Sequence, residues 1–160
     1  MKKTTQNLGI VSLSFLGASL LFSFSSTKGG EITNSIAVLQ DGKGKELFLE
    51  KCTKCHNTEF PKSKADRKKM KAPPIMGVMF HVNDGIKAET EEEKKQKVID
   101  FIVDYAHNPS KDKSFCEAHA IERFGVMPSQ KGNVTKEELK LIAAYLYEAY
   151  PSKDEIPFKH

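Results

Sequence analysis

Cys52, Cys55 and His56 form the pattern with the clearest chemical meaning in the sequence. Cys-x-x-Cys-His is the attachment signature of haem c. Each thiol adds to one vinyl group of the porphyrin, and the adjacent histidine is then placed to ligate the iron. The pattern predicts one covalently bound haem, with thioethers at Cys52 and Cys55 and His56 as a ligand of the haem iron.

Two other uses of the cysteines must be weighed. A Cys-x-x-Cys pair can be a redox dithiol, but the βαβ pattern of thioredoxin-like folds is missing. Cys116 and His119 could join Cys52 and Cys55 in a tetrahedral Cys3His zinc site. However, 60 residues separate Cys55 from Cys116, far more than zinc knuckles use, and the zinc site gives His56 no role. Cys116 is otherwise expected to be a small buried side chain or a free reactive thiol.

Met127 is the best candidate for the second axial ligand. A thioether is soft and favours Fe(II). Met127 follows Gly125, which allows close backbone approach, and precedes Pro128, which stiffens the loop. Met76 and Met79 are expected to fill the core or line the haem pocket, and His119 is the second choice of ligand.

Helical patterns surround these residues. Lys45–Lys54 reads as a short helix, and Thr90 and Thr135 each begin a capping box before an apolar stripe. Residues 56–90 contain no clear helix, and the charged span 61–71 within them reads as a solvated loop. No alternating strand pattern is evident. The predicted fold is all-α, with three to five helices and long loops wrapped around the haem, which supplies core that the loops otherwise lack.

The N-terminus resembles an export signal. Lys2 and Lys3 precede a short apolar run over 10–22, and small residues follow at Ser23, Ser25 and Ser26. The run is shorter than a membrane-spanning helix needs, which argues against a retained anchor. We therefore predict a signal peptide over 1–26, a lead-in over 27–41, one domain over 42–151 and a tail over 152–160. The predicted location is the periplasm, with no stable membrane insertion after cleavage.

The net charge excludes one class of partner. The chain of 160 residues has a formal charge of +4. Removal of residues 1–26 removes two lysines and no acids, which leaves 23 basic and 21 acidic side chains, or +2. That balance gives no reason to expect nucleic-acid binding, so any electrostatic effect must come from local patches.

From about Gly44 to Tyr150 the chain resembles the class I c-type cytochromes, which are monohaem proteins with His and Met ligands. Gly44 and Phe48 stand eight and four residues before Cys52, as in the family's N-terminal helix. The segment 141–146 is similar to the C-terminal helix, where Tyr145 would cross the first helix near Gly44. The resemblance also implies a proline turn whose carbonyl accepts the Nδ1–H of His56. Pro74 is the predicted residue, with Pro73 as the alternative.

Two features depart from that family. The 70 residues between His56 and Met127 exceed the spacing in small members, and Cys116 has no counterpart in the pattern. The expected function is one-electron transfer rather than enzymatic catalysis, with redox partner proteins that present acidic faces. A fixed haem subunit of a larger periplasmic complex is an alternative. Another is a haem enzyme or sensor with a labile sixth ligand.

Overall fold

A computed structural model describes residues 42–150, and the chain folds there as an all-α protein without β-strands in that range. The predicted signal peptide, lead-in and tail lie outside the described residues. Six helices are present over 42–150, so the prediction of three to five helices is wrong. They are α1 over 42–51, α2 Lys64–Lys69, α3 Ile75–Gly85, α4 Glu91–His107, α5 Ala118–Phe124 and α6 Lys136–Ala149.

Helices α1 and α6 pack against each other, as the family resemblance implies. Phe48 of α1 is fully buried, and its ring centroid lies 5.9 Å from that of Tyr145 in α6. Gly44 faces the backbone of Leu141, so the absence of a side chain at residue 44 permits the close approach. This contact fixes the orientation of α1 and therefore the position of the motif that begins at Cys52.

The hydrophobic core lies between α1, α3, α4 and α6. The predicted stripe of α6 is buried at Leu139, Ile142, Ala143 and Leu146, whereas Ala149 is exposed. Outside the core, Lys95 of α4 pairs with Glu148 of α6 at 2.6 Å, and Tyr147 donates to Glu91 at 2.8 Å. The core residues are Leu47, Phe48, Ile75, Met79, Val82, Val98, Ala106, Val134, Leu139, Ile142 and Leu146.

Only one of the two predicted capping boxes is formed in full. At α6 the box is complete, because Thr135 accepts from the Glu138 amide and the Glu138 carboxylate accepts from the Thr135 amide. At α4 the Thr90 hydroxyl accepts from the Glu93 amide, but the Glu93 carboxylate accepts from the amide of Glu89 instead. The prediction of a reciprocal box at Thr90 is therefore wrong, although Thr90 is the N-cap.

Helices α2 and α3 contradict the prediction that residues 56–90 contain no helix. The missed signal for α3 is the spacing of Ile75, Met79 and Val82, all of which are buried. The missed signal for α2 is Ser63, whose hydroxyl accepts from the Asp66 amide as an N-cap. The span 61–71 is thus not simply a loop, although α2 buries none of its residues.

The segment after Met127 is fastened to the end of α4. The Gln130 amide donates to the Ala106 carbonyl at 2.8 Å, and the Ser129 hydroxyl donates to the His107 carbonyl at 2.7 Å. The buried His107 ring places Nε2 2.8 Å from the Val134 carbonyl oxygen. His107 is therefore a hydrogen-bonding residue of the core. No helix over 42–150 is long and apolar enough to cross a membrane.

Candidate functional site

The Cys-x-x-Cys-His motif forms a turn that extends the hydrogen bonding of α1. The Cys52 amide donates to the carbonyl of the buried Phe48 at 2.9 Å. The Cys52 carbonyl then accepts from the amides of Cys55 and His56, at 3.1 and 3.0 Å. Because Phe48 packs beneath α6, the turn is anchored in the core, and both thiols and the imidazole are presented from one short segment.

The His56 ring is oriented by a backbone carbonyl. Its Nδ1 lies 2.9 Å from the carbonyl oxygen of Pro73, and because that oxygen can only accept, Nδ1 carries the proton. The other ring nitrogen, Nε2, then holds a lone pair that can bind a metal. Burial lowers the pKa of His56 and the Pro73 hydrogen bond raises it, with burial the larger effect. The net effect favours the neutral imidazole that ligation requires.

Pro73, not Pro74, provides this carbonyl, so the prediction for Pro74 is wrong. The physical reason is the start of α3. Pro74 is the N-cap of α3, and its carbonyl accepts from the amide of Val78 at 3.1 Å within the helix. The Pro73 carbonyl precedes the helix and is free to face His56. The same junction is tied to the motif segment by the Ile75 amide, which donates to the Asn57 carbonyl at 2.9 Å.

The two thiols of the motif differ in environment. Cys52 is half-buried, and burial raises its pKa to about 11, with a smaller contribution from Cys55. Cys55 is exposed, and neither cysteine is in a disulfide. The turn therefore offers one thiol at the edge of the core and one at the surface.

A cavity of about 670 Å³ adjoins His56. This volume is in the range of small-molecule and cofactor sites. Leu49 and Phe60 line the cavity with 47% and 46% of their surface exposed, which makes them two of the most exposed large apolar side chains described. The sequence reasoning did not identify them, although Leu49 lies three residues before Cys52 in α1. The lining also includes Thr53, Asn57, Thr58, Glu59, Pro61, Lys62, Asp66 and Lys69.

Met127 is not among the residues that line this cavity. It is half-buried and packs against the hydrophobic core, two residues after the Gly125 that ends α5 with a φ of 72°. Arg123 in the last turn of α5 donates to the carbonyl of Arg67 in α2, and its guanidinium lies 4.7 Å from the centre of the Phe124 ring. Helix α5, which precedes the loop that carries Met127, is therefore joined to α2, and α2 borders the cavity through Asp66 and Lys69.

The residues of the alternative zinc site are not gathered. Among residues 42–150, no three His, Cys, Asp or Glu side chains are placed to share a metal ion. His119 is exposed and its Nδ1 lies 3.0 Å from the Glu117 carboxylate. Cys116 is half-buried, and burial raises the pKa of its thiol. The structure thus brings together Cys52, Cys55 and His56, but not Cys116 or His119.

Comparisons with known proteins give one relative. The chain is similar to an uncharacterized protein of Aquifex aeolicus (strain VF5), with 29% identity over 118 residues that cover 68% of this chain and 74% of that protein. No family model and no solved structure matches the chain. Because that relative is uncharacterized, a functional conclusion depends on the site itself.

Proposed function

We propose that this protein is a periplasmic monohaem c-type cytochrome that carries single electrons. The observation that carries the proposal is the contact between His56 Nδ1 and the Pro73 carbonyl, at the end of a turn that also presents Cys52 and Cys55. This arrangement orients a neutral imidazole with Nε2 free, directly beside two thiols at the spacing that haem c attachment uses.

Two apolar side chains near the motif support a large, partly apolar group at this place. Leu49 and Phe60 leave apolar surface exposed on a cavity next to His56, a position where a porphyrin would cover it. Cys52 and Cys55 would hold the porphyrin through thioethers, with His56 Nε2 and Met127 as the axial ligands. A haem bound there supplies a one-electron Fe(III)/Fe(II) couple.

The protein's own groups would set the properties of that couple. The Pro73 carbonyl fixes the tautomer of His56 and strengthens the imidazole as a donor. The hydrogen bond from the Cys52 amide to the Phe48 carbonyl anchors the turn and limits movement of the motif. Hydrogen bonds from Ser129 and Gln130 to the end of α4 limit movement of the segment after Met127. Because the motif and the segment after Met127 are both held in place, an electron could be transferred without rearrangement of the ligands.

The test begins with visible spectra of the full chain after export alongside a haem-attachment system. We expect a c-type spectrum in the wild type and in Cys116→Ser. Cys52→Ser and Cys55→Ser should each lose one thioether, which shifts the absorption of the reduced pyridine complex. A colourless wild-type protein would overturn the proposal.

A matched pair of variants tests whether Met127 is an axial ligand. Leu has nearly the volume of Met but no sulfur, so Met127→Leu should abolish the weak far-red sulfur–iron band while Met76→Leu retains it. Because Met127 does not line the cavity, a haem enzyme or sensor with a labile sixth ligand is the second candidate. A high-spin wild-type spectrum that Met127→Leu leaves unchanged would favour that candidate over the electron carrier.

A further inference from the structure

Three aromatic side chains from α4 and the loop after it form a row that reaches the end of α3. The ring centroids of Phe101 and Tyr105 lie 5.5 Å apart, and the Phe115 centroid lies 4.8 Å from that of Phe101. The Phe115 ring lies directly against Gly85, where a Cβ atom would not fit. We call Phe101, Tyr105 and Phe115 the aromatic row. Because Phe115 keeps 36% of its surface exposed, the row ends in apolar area that another segment would bury.

The loop that carries Phe115 is held in place by its own contacts. The Lys113 ammonium lies 2.6 Å from the Asp104 carboxylate of α4. On the other side of Phe115, the Cys116 amide donates to the Ser114 hydroxyl at 3.1 Å. The exposed end of the aromatic row is therefore preformed, which lowers the ordering cost of any segment that packs on it.

Asn83, two residues before Gly85 in α3, contacts the end of α6. Its side chain is only 3% exposed, and its Nδ2 donates to the Tyr150 carbonyl at 3.0 Å. Within the described part of the chain, the buried Oδ1 of Asn83 has no hydrogen-bond partner. Buried acceptors normally have a donor, because an unpaired one loses its bonds to water. Tyr150 is the last described residue, so the residues that follow it are the nearest source of that donor.

The ten residues 151–160 begin with a pattern that suits Asn83. Pro151 has no N–H, so the first backbone donor after Tyr150 is the Ser152 amide. In an extended chain, a carbonyl and the amide two residues later point to the same side. One carboxamide can then pair with both, with its nitrogen on the Tyr150 carbonyl and its oxygen on the Ser152 amide.

Further along the same segment, Ile156 and Phe158 are its two large apolar side chains. Pro157 favours an extended backbone at Ile156, and residues two apart in an extended chain share one side. Both apolar side chains would then face the same surface. The acidic Glu155 precedes them, and the exposed Lys87 lies two residues after Gly85, so opposite charges would meet along the path.

The aromatic row is within reach of the end of α6. Asn83 contacts Tyr150 and Gly85 contacts Phe115, and these two residues of α3 are separated by about 3 Å along the helix axis. The six residues 151–156 span up to about 20 Å when extended. The segment is therefore long enough to bring its apolar side chains to Phe115.

We propose that the segment 151–160 folds back along the end of α3, with the Ser152 amide on Asn83 Oδ1 and with Ile156 and Phe158 on the aromatic row. This contact would restrict access to Cys116, the half-buried thiol that follows Phe115. The proposal does not depend on haem. A second copy of the chain fits less well as the occupant, because packing on the aromatic row alone gives the Asn83 acceptor no donor.

The experiment measures alkylation of Cys116 by iodoacetamide in the full chain after export. The reagent is uncharged, and peptide mass analysis reports Cys116 separately from the cysteines of the motif. The variant is Ile156→Ser/Phe158→Ser, which removes both apolar side chains outside the described core. The control is Lys153→Ser/Lys159→Ser, which introduces the same residue at two polar positions of the same segment.

The cover predicts a specific result for each variant. Ile156→Ser/Phe158→Ser should raise the alkylation rate of Cys116 roughly threefold to tenfold, because the thiol reacts freely only while the segment is lifted. Lys153→Ser/Lys159→Ser should leave the rate unchanged. A second measurement is hydrogen exchange at the Ser152 amide, which should be slower in the wild type than in Asn83→Leu, since leucine has a similar volume but no acceptor.

Several results would overturn the proposal. Equal alkylation of the wild type and Ile156→Ser/Phe158→Ser would show that the segment does not cover Cys116, and equal increases in the two double variants would show that its apolar side chains are not the cause. Exchange at Ser152 that Asn83→Leu leaves unchanged would remove the bond to Asn83. A wild type that sediments as a dimer, with Phe115→Ser as a monomer, would identify a second copy as the occupant. Each readout is independent of haem absorbance, so failure here is distinct from failure of the proposed function.

Discussion

Gly44 of α1 lies against Tyr145 of α6 so closely that a Cβ atom at residue 44 would stand 2.8 Å from the Tyr145 Cβ, as well as meeting the Leu141 carbonyl oxygen. Both obstacles are at or next to the backbone, so neither can swing aside. The crossing of the two helices therefore requires glycine at this position.

Gly44→Ala should destabilise the protein by about 1–3 kcal/mol, because overpacking must displace one helix from the other. The free energy of unfolding in urea measures the effect. Gly42→Ala is the control, since a Cβ at residue 42 meets no atom within 4 Å. Equal stability of the two variants would contradict the close approach of α1 and α6.

Arg123→Ala should loosen α2, because the guanidinium that binds the Arg67 carbonyl is lost and α2 has no buried side chain. The measurement is the initial rate of cleavage after Lys64, Lys68 and Lys69 by a lysine-specific protease, whose sites the substitution leaves intact. We expect roughly threefold to tenfold faster cleavage, which corresponds to one lost hydrogen bond. Glu122→Ala, the neighbouring exposed position, should leave the rate unchanged; a similar increase there would attribute the effect to α5 in general.

Thr135→Ala should destabilise the protein by about 1 kcal/mol, because it removes the hydroxyl that accepts from the Glu138 amide at the start of α6. The amide of residue 135 is a backbone group and can still donate to the Glu138 carboxylate in the variant. Thr90→Ala is the comparison and should cost a similar amount, because it also removes only a hydroxyl that accepts from a helix amide, that of Glu93. Urea unfolding of both variants gives the two values. Unchanged stability of Thr135→Ala would contradict the hydroxyl cap at α6.

Cys116 should make the stability of the protein depend on pH in the alkaline range. Burial raises the pKa of the thiol in the folded state, so the folded protein retains a proton that the unfolded chain releases. The resulting stability is fully present below the ordinary thiol pKa of about 8.5 and is lost as the pH rises through the folded-state pKa. Urea unfolding across this range measures the decline, and Cys116→Ala should remove the part due to the thiol. An identical decline in the variant would mean that the thiol makes no contribution.

Local rules predicted the parts of this protein that depend on neighbouring residues. The spacing of Cys52, Cys55 and His56 requires only a turn, and the hydrogen bonds to the Cys52 carbonyl provide it. The cap at Thr135 and the apolar stripe beginning at Leu139 likewise depend on residues within one helix. The crossing of α1 and α6 was expected from a family resemblance at Gly44, Phe48 and Tyr145, and the structure places these residues in contact.

Other features depend on long-range packing and could not be read from neighbouring residues. The sequence left Pro73 and Pro74 as alternatives, and the choice follows from where α3 begins, because a carbonyl used inside the helix is no longer available to His56. The sequence also could not show that Lys69 shares a cavity with His56, which lies 13 residues earlier.

The sequence alone thus determined the motif, the N-caps at Thr90 and Thr135 and the buried stripe of α6, because hydrogen bonds and periodicity act over a few residues. Only the tertiary structure decided which carbonyl orients His56, which apolar side chains remain exposed beside it and where α2 brings its charge. Those relationships join segments that are far apart in the chain, and they exist only once α1, α3 and α6 share one core.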